Sequence, residues 1–160
     1  MNISEHSRIW IYQANRPLTA QETEQIQKRL DSFTAQWLAH GHELLAKGEV
    51  RYNQFIILAV DEQQAGATGC SIDKSVKLML DLEKEFNINL FDRFQLAYRD
   101  GEQIKTCSRE EFQELLSTGK ISGDTIVFNN LVSTRKALEA NWQIPMRESW
   151  HASLFTLSEV

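Results

Sequence analysis

The chain lacks the features that mark nucleic-acid-binding or membrane-spanning proteins. Lys and Arg never form a long run, and the 160 residues carry a net charge of −5, whereas a nucleic-acid interface needs a basic stripe. The longest apolar run, residues 55–60, is far too short for a helix that crosses a bilayer. Neither a nucleic acid nor a membrane is therefore expected as a partner.

Cysteine and proline are also scarce, with two of each. Cys70 and Cys107 allow at most one disulfide, and the first residues do not pair a basic segment with an apolar one, so no signal peptide is predicted. The cysteines are accordingly expected to be reduced thiols in the cytoplasm. Pro17 and Pro145 stand singly, and no linker rich in Pro, Gly or Ser interrupts the chain. This favours a single domain that spans residues 1–160.

What the chain does contain is an alternation of strand-like and helix-like segments. The apolar faces of residues 8–12 predict a central strand in a covered sheet. The order β-α-β-α-β-β-α-β-α-β favours an α+β (or α/β) sandwich, a mixed β-sheet covered by helices. The predicted strands are residues 8–12, 53–60, 93–99, 102–106, 125–128 and 149–155, and the predicted helices lie within 19–41, 75–86, 108–119 and 133–140.

Local signals fix several of these boundaries. Thr19 with Glu22 has the spacing of a capping box, and Ser108 with Glu111 repeats it, so a helix is expected to begin at each place. The dipeptide at 100–101, Asp-Gly, is typical of a two-residue hairpin turn.

Residues 66–75, Gly-Ala-Thr-Gly-Cys-Ser-Ile-Asp-Lys-Ser, join a strand-like segment to a helix-like one. Backbone N–H groups converge at such a corner and the helix dipole adds positive charge, so it can hold an anion. We therefore expect an anion site that includes Gly69, Ser71, Asp73 and Lys74. The alternative is that Ser71 and Asp73 only cap the helix.

Arg16 follows the first strand and is expected on a loop at its carboxyl end. If the first two strands are parallel, Arg16 and Cys70 share one rim of the sheet, the edge where open α/β sheets bind ligands. Arg16 would then clamp a carboxylate or phosphate; the alternative is a surface ion pair. Trp150 is a further candidate for ligand contact.

Cys70 is also a candidate nucleophile, because a thiol near a helix N-terminus ionises more readily. The best available base is His151, although no spacing places it near Cys70. The alternative is a small buried thiol. A Cys-x5-Arg phosphatase loop is excluded, since the sixth residue after Cys70 is Val76.

No metal or cofactor is predicted. His40 and His42 flank Gly41, but two histidines on either side of a helix-ending glycine do not share a helix face. No third ligand has the spacing of a metal motif.

Four short pieces occur in a fixed order, and together they resemble a known family. They are residues 11–16 (Ile-Tyr-Gln-Ala-Asn-Arg), 39–41 (Ala-His-Gly), 69–73 (Gly-Cys-Ser-Ile-Asp) and 149–151 (Ser-Trp-His). The resemblance is to a family of uncharacterised small bacterial cytoplasmic proteins, whose members often carry the label "ABC transporter ATPase". It covers nearly the whole chain, Gly-Cys-Ser-Ile-Asp is its most specific part, and it implies no particular activity.

The ATPase label does not fit the residues. A P-loop needs G-x-x-x-x-G-K-[ST], but after Gly69 a lysine, Lys74, stands where the second glycine should be. Asp73 would also place a negative charge beside any bound phosphate. Residues 58–62 imitate a Walker-B strand, yet they precede the turn instead of following it. A P-loop ATPase is therefore excluded.

Three functions stay open. The favoured one is a ligand-binding or regulatory domain for a small anion, with its site at the turn 66–75. The second is a small enzyme that uses Cys70 as a nucleophile or redox thiol. The third is an interaction protein in which the turn is only structural. The reaction, the ligand and the oligomeric state are not predicted.

Overall fold

A computed structural model describes residues 1–155. The α+β class is confirmed, and the described chain divides into two compact units, residues 1–91 with 133–136, and residues 92–132 with 137–155. The elements are β1 (Arg8–Gln13), α1 (Ala20–Ala35), β2 (Leu38–Ala39), β3 (His42–Glu43), β4 (Leu45–Arg51), β5 (Phe55–Asp61), α2 (Gly69–Phe86), β6 (Gln95–Asp100), β7 (Gln103–Ser108), α3 (Arg109–Ser117), β8 (Ile126–Phe128), α4 (Arg135–Asn141) and β9 (Gln143–Pro145), followed by two short 3-10 helices, Met146–Glu148 and Trp150–Ser153.

The main sheet of the first unit has the strand order β1-β5-β4, and both pairings are antiparallel. Strand β5 lies in the middle, and residues 55–60 are all fully buried, which explains their continuous apolar run. Strand β1 is therefore an edge strand, so the prediction of a central first strand was wrong. Its register places Arg8 opposite Val60 and Gln13 opposite Phe55. The carboxyl ends of β1 and β5 thus lie at opposite ends of the sheet.

Helix α1 begins at the predicted capping box and ends earlier than predicted. The Thr19 side chain accepts from the Glu22 N–H at 3.1 Å, and the Thr19 N–H donates to the Glu22 carboxylate at 3.0 Å. The helix ends at Ala35, so the predicted end at Gly41 was wrong. Gly41 instead shares a two-residue turn with His40, both at positive φ, in the small hairpin of β2 and β3. Glycine suits that turn as well as it suits a helix end.

Strand β4 was not predicted, because its sequence, Leu-Ala-Lys-Gly-Glu-Val-Arg, has little apolar alternation. Its outer edge is covered by one side chain of α1. Gln27 donates from Nε2 to the Gly48 carbonyl oxygen, and its Oε1 accepts from the Val50 N–H, both at 2.9 Å. Helix α1 passes so close that a Cβ on Gly48 would lie 2.9 Å from the Cβ of Leu30.

The sheet of the second unit has the order β7-β6-β8-β9. The predicted hairpin turn is confirmed, with Gly101 at a φ of 62°, and the Ser108 side chain caps α3 by accepting from the Glu111 N–H at 3.2 Å. Among residues 1–155 the last strand is β9. The prediction of a strand at residues 149–155 was wrong, because Ser149 caps a 3-10 turn by accepting from the His151 N–H. Every pairing between the strands named above is antiparallel, so the expected mixed sheet is not observed.

None of the helices within residues 1–155 has both the length and the hydropathy that crossing a bilayer requires.

Candidate functional site

The predicted anion turn forms the start of α2, which begins at Gly69, six residues before the predicted start. Its cap is Thr68, whose side chain accepts from the Ser71 N–H at 3.3 Å, while the Ser71 hydroxyl accepts from the Thr68 N–H at 2.7 Å. Ser71 is therefore a buried residue of the first helical turn, and Asp73 lies further along the helix. The N-cap residue is thus Thr68, which has the extended backbone that a cap needs, and not Ser71 or Asp73; Ser71 nevertheless takes part in capping, as the second member of the capping box.

A carboxylate of the chain itself lies just before this helix. Glu62 accepts from the Ala67 N–H at 3.0 Å, and a Cβ on Gly66 would lie 3.0 Å from the same carboxylate. The turn before the helix is thus held by Glu62. Gly69, in contrast, has no heavy atom within 4 Å of the place where a Cβ would stand, and its φ is not positive. Its backbone is open to approach from solvent.

Four residues in the first two turns of α2 are exposed. They are Gly69, Cys70, Asp73 and Lys74, and Cys70 shares a helix face with the other two side chains because they lie three and four residues further on. We call these four residues the α2 start face. Cys70 carries an exposed free thiol there, so the interpretation of Cys70 as a buried thiol was wrong.

The α2 start face is supported by a contact that the sequence did not predict. The Trp37 indole N–H donates to the Ser71 carbonyl oxygen at 2.9 Å. Trp37 is buried, and its ring lies 4.9 Å from that of Phe33 and 6.1 Å from that of Trp10. Strand β2 also packs against α2. The small β2–β3 hairpin is therefore fixed beside the first turn of α2.

Arg16 lies at the other end of the same helix. Its guanidinium donates to both carboxylate oxygens of Glu22, at 2.9 and 2.8 Å, and to the carbonyl oxygen of Phe86 at 2.8 Å. Phe86 is the last residue of α2 and Cys70 the second, so they stand about 24 Å apart along the axis, at about 1.5 Å per residue. The prediction that Arg16 and Cys70 share a rim was therefore wrong, because β1 and β5 are antiparallel.

The ion pair between Arg16 and Glu22 shifts the pKa of both side chains. The hydrogen bond from Arg16 is the main reason why the pKa of Glu22 falls to about 2, and the same bond raises the pKa of Arg16. The alternative interpretation of Arg16, an ion pair, describes its contacts in the structure.

His151 belongs to the second unit, whereas Cys70 belongs to the first. His151 is only 1% exposed, its Nδ1 is 2.5 Å from the Ser149 hydroxyl, and the Trp150 ring stacks on the imidazole at a centroid distance of 3.9 Å. Burial lowers the pKa of His151 to about 4, which keeps the imidazole neutral in an apolar cluster. Its pairing with Cys70, and ligand contact by Trp150, stay predictions.

Cys107, the second thiol, is buried in the core of the second unit. Its pKa is raised to about 11, mainly by burial and further by the charge of Glu111. This thiol is protonated at neutral pH, so an alkylating reagent added to the folded protein should label Cys70 first.

His40 and His42 are both exposed in the β2–β3 hairpin, within the described residues 1–155. That part of the chain contains no group of three or more His, Cys, Asp or Glu residues placed to hold a metal ion. Comparisons with protein-family models, with curated proteins and with solved structures find no match to this chain.

Proposed function

We propose that the protein binds a small anion, such as phosphate or a carboxylate, at the α2 start face. The observation that carries this proposal is the open backbone at Gly69, the first residue of an 18-residue helix. The N–H groups of a first helical turn have no acceptor within the helix, and the aligned peptide dipoles make this end partly positive.

The neighbouring charges support an anion of modest size. Glu62 already takes up the Ala67 N–H, so a ligand would use the N–H groups of Gly69 and Cys70. Lys74 is exposed on the same face, one turn further on, and adds a mobile positive charge. Asp73 opposes binding, so a single compact anion fits this face better than a polyphosphate.

The alkylation rate of Cys70 offers a direct test, because the thiol lies within the proposed site. Iodoacetamide labelling would be followed by mass spectrometry in phosphate and in chloride at equal ionic strength, with Cys107 as the internal buried thiol. Phosphate is expected to slow the labelling of Cys70 in the wild-type chain. Equal rates in the two salts would refute the proposal.

Two variants locate the effect within the α2 start face. Gly69→Ala places a methyl group where the anion would approach the backbone, and Lys74→Gln removes the nearby positive charge; both are expected to reduce the protection by phosphate. Lys84→Gln is the matched control, because Lys84 is also exposed but lies in the last turn of α2. If Lys84→Gln loses as much protection as Lys74→Gln, net charge and not this face is responsible.

A second candidate function is favoured by the exposure of Cys70. We propose, as the alternative, that Cys70 acts as a nucleophile or redox thiol. This requires a reactive thiol. If Cys70 reacts with iodoacetamide at pH 6 no faster than free cysteine does, the alternative is refuted, whereas the anion proposal is unaffected.

A further inference from the structure

The amino-terminal residues hold a short segment that lies far away in sequence. Residues 133–136 belong to the first unit, although the chain on either side of them belongs to the second. The Ile9 N–H donates to the Ser133 carbonyl oxygen at 3.0 Å, and Arg8 forms an antiparallel bridge with Thr134. Residues 133–134 thus cover the first part of the free edge of β1. We call residues 3–9 together with 133–136 the amino-terminal clasp.

The same clasp supplies the cap of α4. The Arg135 N–H donates to the Ser7 carbonyl oxygen and the Lys136 N–H to the Glu5 carbonyl oxygen, both at 2.9 Å. The Arg135 guanidinium also donates to the Ile3 carbonyl oxygen at 2.8 Å. Main-chain carbonyl groups therefore accept from the first N–H groups of α4, the role that the Thr19 side chain has at α1.

Ile9 is the one buried apolar side chain of the clasp, and it belongs to β1, which pairs with β5; the other clasp residues are held mainly by backbone hydrogen bonds. Glu5 and His6 are exposed, and Ile3 is only partly buried. Ser7 Oγ and Arg135 Nε are buried, yet neither has a hydrogen-bond partner among residues 1–155. Buried polar atoms without partners raise the energy of the closed clasp. Segments with few buried apolar contacts open locally before the rest of a protein unfolds.

We propose that the amino-terminal clasp opens as a unit of its own, well before global unfolding, and that its opening frays the start of α4. Residues 135–136 belong to the first unit, and the rest of α4 belongs to the second. When the clasp opens, α4 loses the Ser7 and Glu5 acceptors of its first turn. The order of the chain's first residues is therefore coupled energetically to α4.

Native-state hydrogen exchange tests this with two variants at one position. Arg135→Ala and Arg135→Pro both remove the guanidinium, but only proline also removes the N–H that donates to Ser7. Proline is well tolerated at the first position of a helix. The proline variant is expected to exchange the Ile9 and Lys136 amides about fivefold faster than the alanine variant, the effect of one hydrogen bond. The Leu58 amide of the central strand should exchange equally in both.

A second substitution covers the case in which Arg135→Pro fails to fold. Ser7→Ala removes the unpartnered hydroxyl and is expected to slow exchange at Ile9 and Lys136. Ser75→Ala is the control, since that buried hydroxyl donates to the Ile72 carbonyl oxygen and its loss should slow nothing. The proposal is overturned if Ile9 exchanges as slowly as Leu58 in the wild-type chain, or if Ser7→Ala speeds exchange at the clasp.

Discussion

Arg16 binds Glu22 through two hydrogen bonds between its guanidinium and the carboxylate of Glu22, at 2.9 and 2.8 Å. A third hydrogen bond, to the carbonyl oxygen of Phe86, reaches the last residue of α2. One side chain therefore joins the start of α1 to the end of α2. Its positive charge also lies at the negative end of the α2 dipole, where a cation is stabilising.

Replacing Arg16 should weaken the fold measurably. Arg16→Ala is expected to lower the free energy of unfolding by about 1 kcal/mol, since Glu22 and the Phe86 carbonyl oxygen both lose a charged donor. Urea unfolding measures the change. Arg29→Ala is the control, because its pair with Glu85 is exposed on both sides and should contribute less than about 0.5 kcal/mol. Equal losses in both variants would contradict the joining role of Arg16.

Glu22 should make stability depend on pH in the acidic range. Its pKa is held at about 2, against an ordinary value of 4.5, chiefly by the hydrogen bond from Arg16. The stabilisation is fully present above pH 4.5 and is lost as the pH falls towards 2, because protonation removes the charge. Glu22→Gln should therefore flatten the profile of melting temperature against pH in this range. The exposed Glu24→Gln variant should keep the wild-type profile.

His151 should make stability depend on pH in a higher range, between about 4 and 6.5. Burial lowers its pKa from 6.5 to about 4, so the folded state binds a proton less readily than the unfolded chain. The stabilisation from the neutral ring is present above pH 6.5 and declines as the pH falls towards 4. His151→Gln should lower the melting temperature at neutral pH and show a shallower decline from pH 6.5 to 4. His42→Gln, at an exposed site, serves as the control, and identical declines in all three chains would disprove this account.

Two glycines should respond oppositely to the same substitution. Gly48→Ala is expected to destabilise the protein by about 1–3 kcal/mol, the usual range for overpacking, because the new methyl group would lie 2.9 Å from Leu30 Cβ and 3.3 Å from Leu58 Cδ2. Gly69→Ala meets no atom within 4 Å, and alanine favours a helix more than glycine does. Thermal unfolding of the two variants checks this, and a loss of stability in Gly69→Ala would contradict it.

The parts of the fold that the sequence predicts well depend on residues close together in the chain. The capping box of Thr19 and Glu22 and the cap of Ser108 join residues three apart, and the hairpin turn at residues 100–101 involves neighbours. Each needs only the local backbone, so residue types and spacing are sufficient to predict it.

The parts that sequence reasoning missed depend on distant residues. Strand β4 is stabilised by pairing with β5 and by Gln27, which its own composition does not reveal. The antiparallel direction of β1 is likewise a property of its pairing with β5. Because of that direction, Arg16 and Cys70 lie at opposite ends of α2. Cys70 lies exposed on the first turn of α2 because Thr68 is the N-cap of that helix. This capping box is hard to recognise in the sequence, because its third helical residue is Ser71 and not the usual Glu or Gln.

The side-chain amide of Gln27 has a consequence for self-association through the first sheet. It occupies both the Gly48 carbonyl oxygen and the Val50 N–H, two of the backbone groups with which a further strand on this edge would pair. An unpaired strand edge is the usual template for fibrils and for stacking between copies of a chain. A further strand could therefore pair fully with β4 only by displacing the Gln27 side chain, which works against growth of the sheet at this edge.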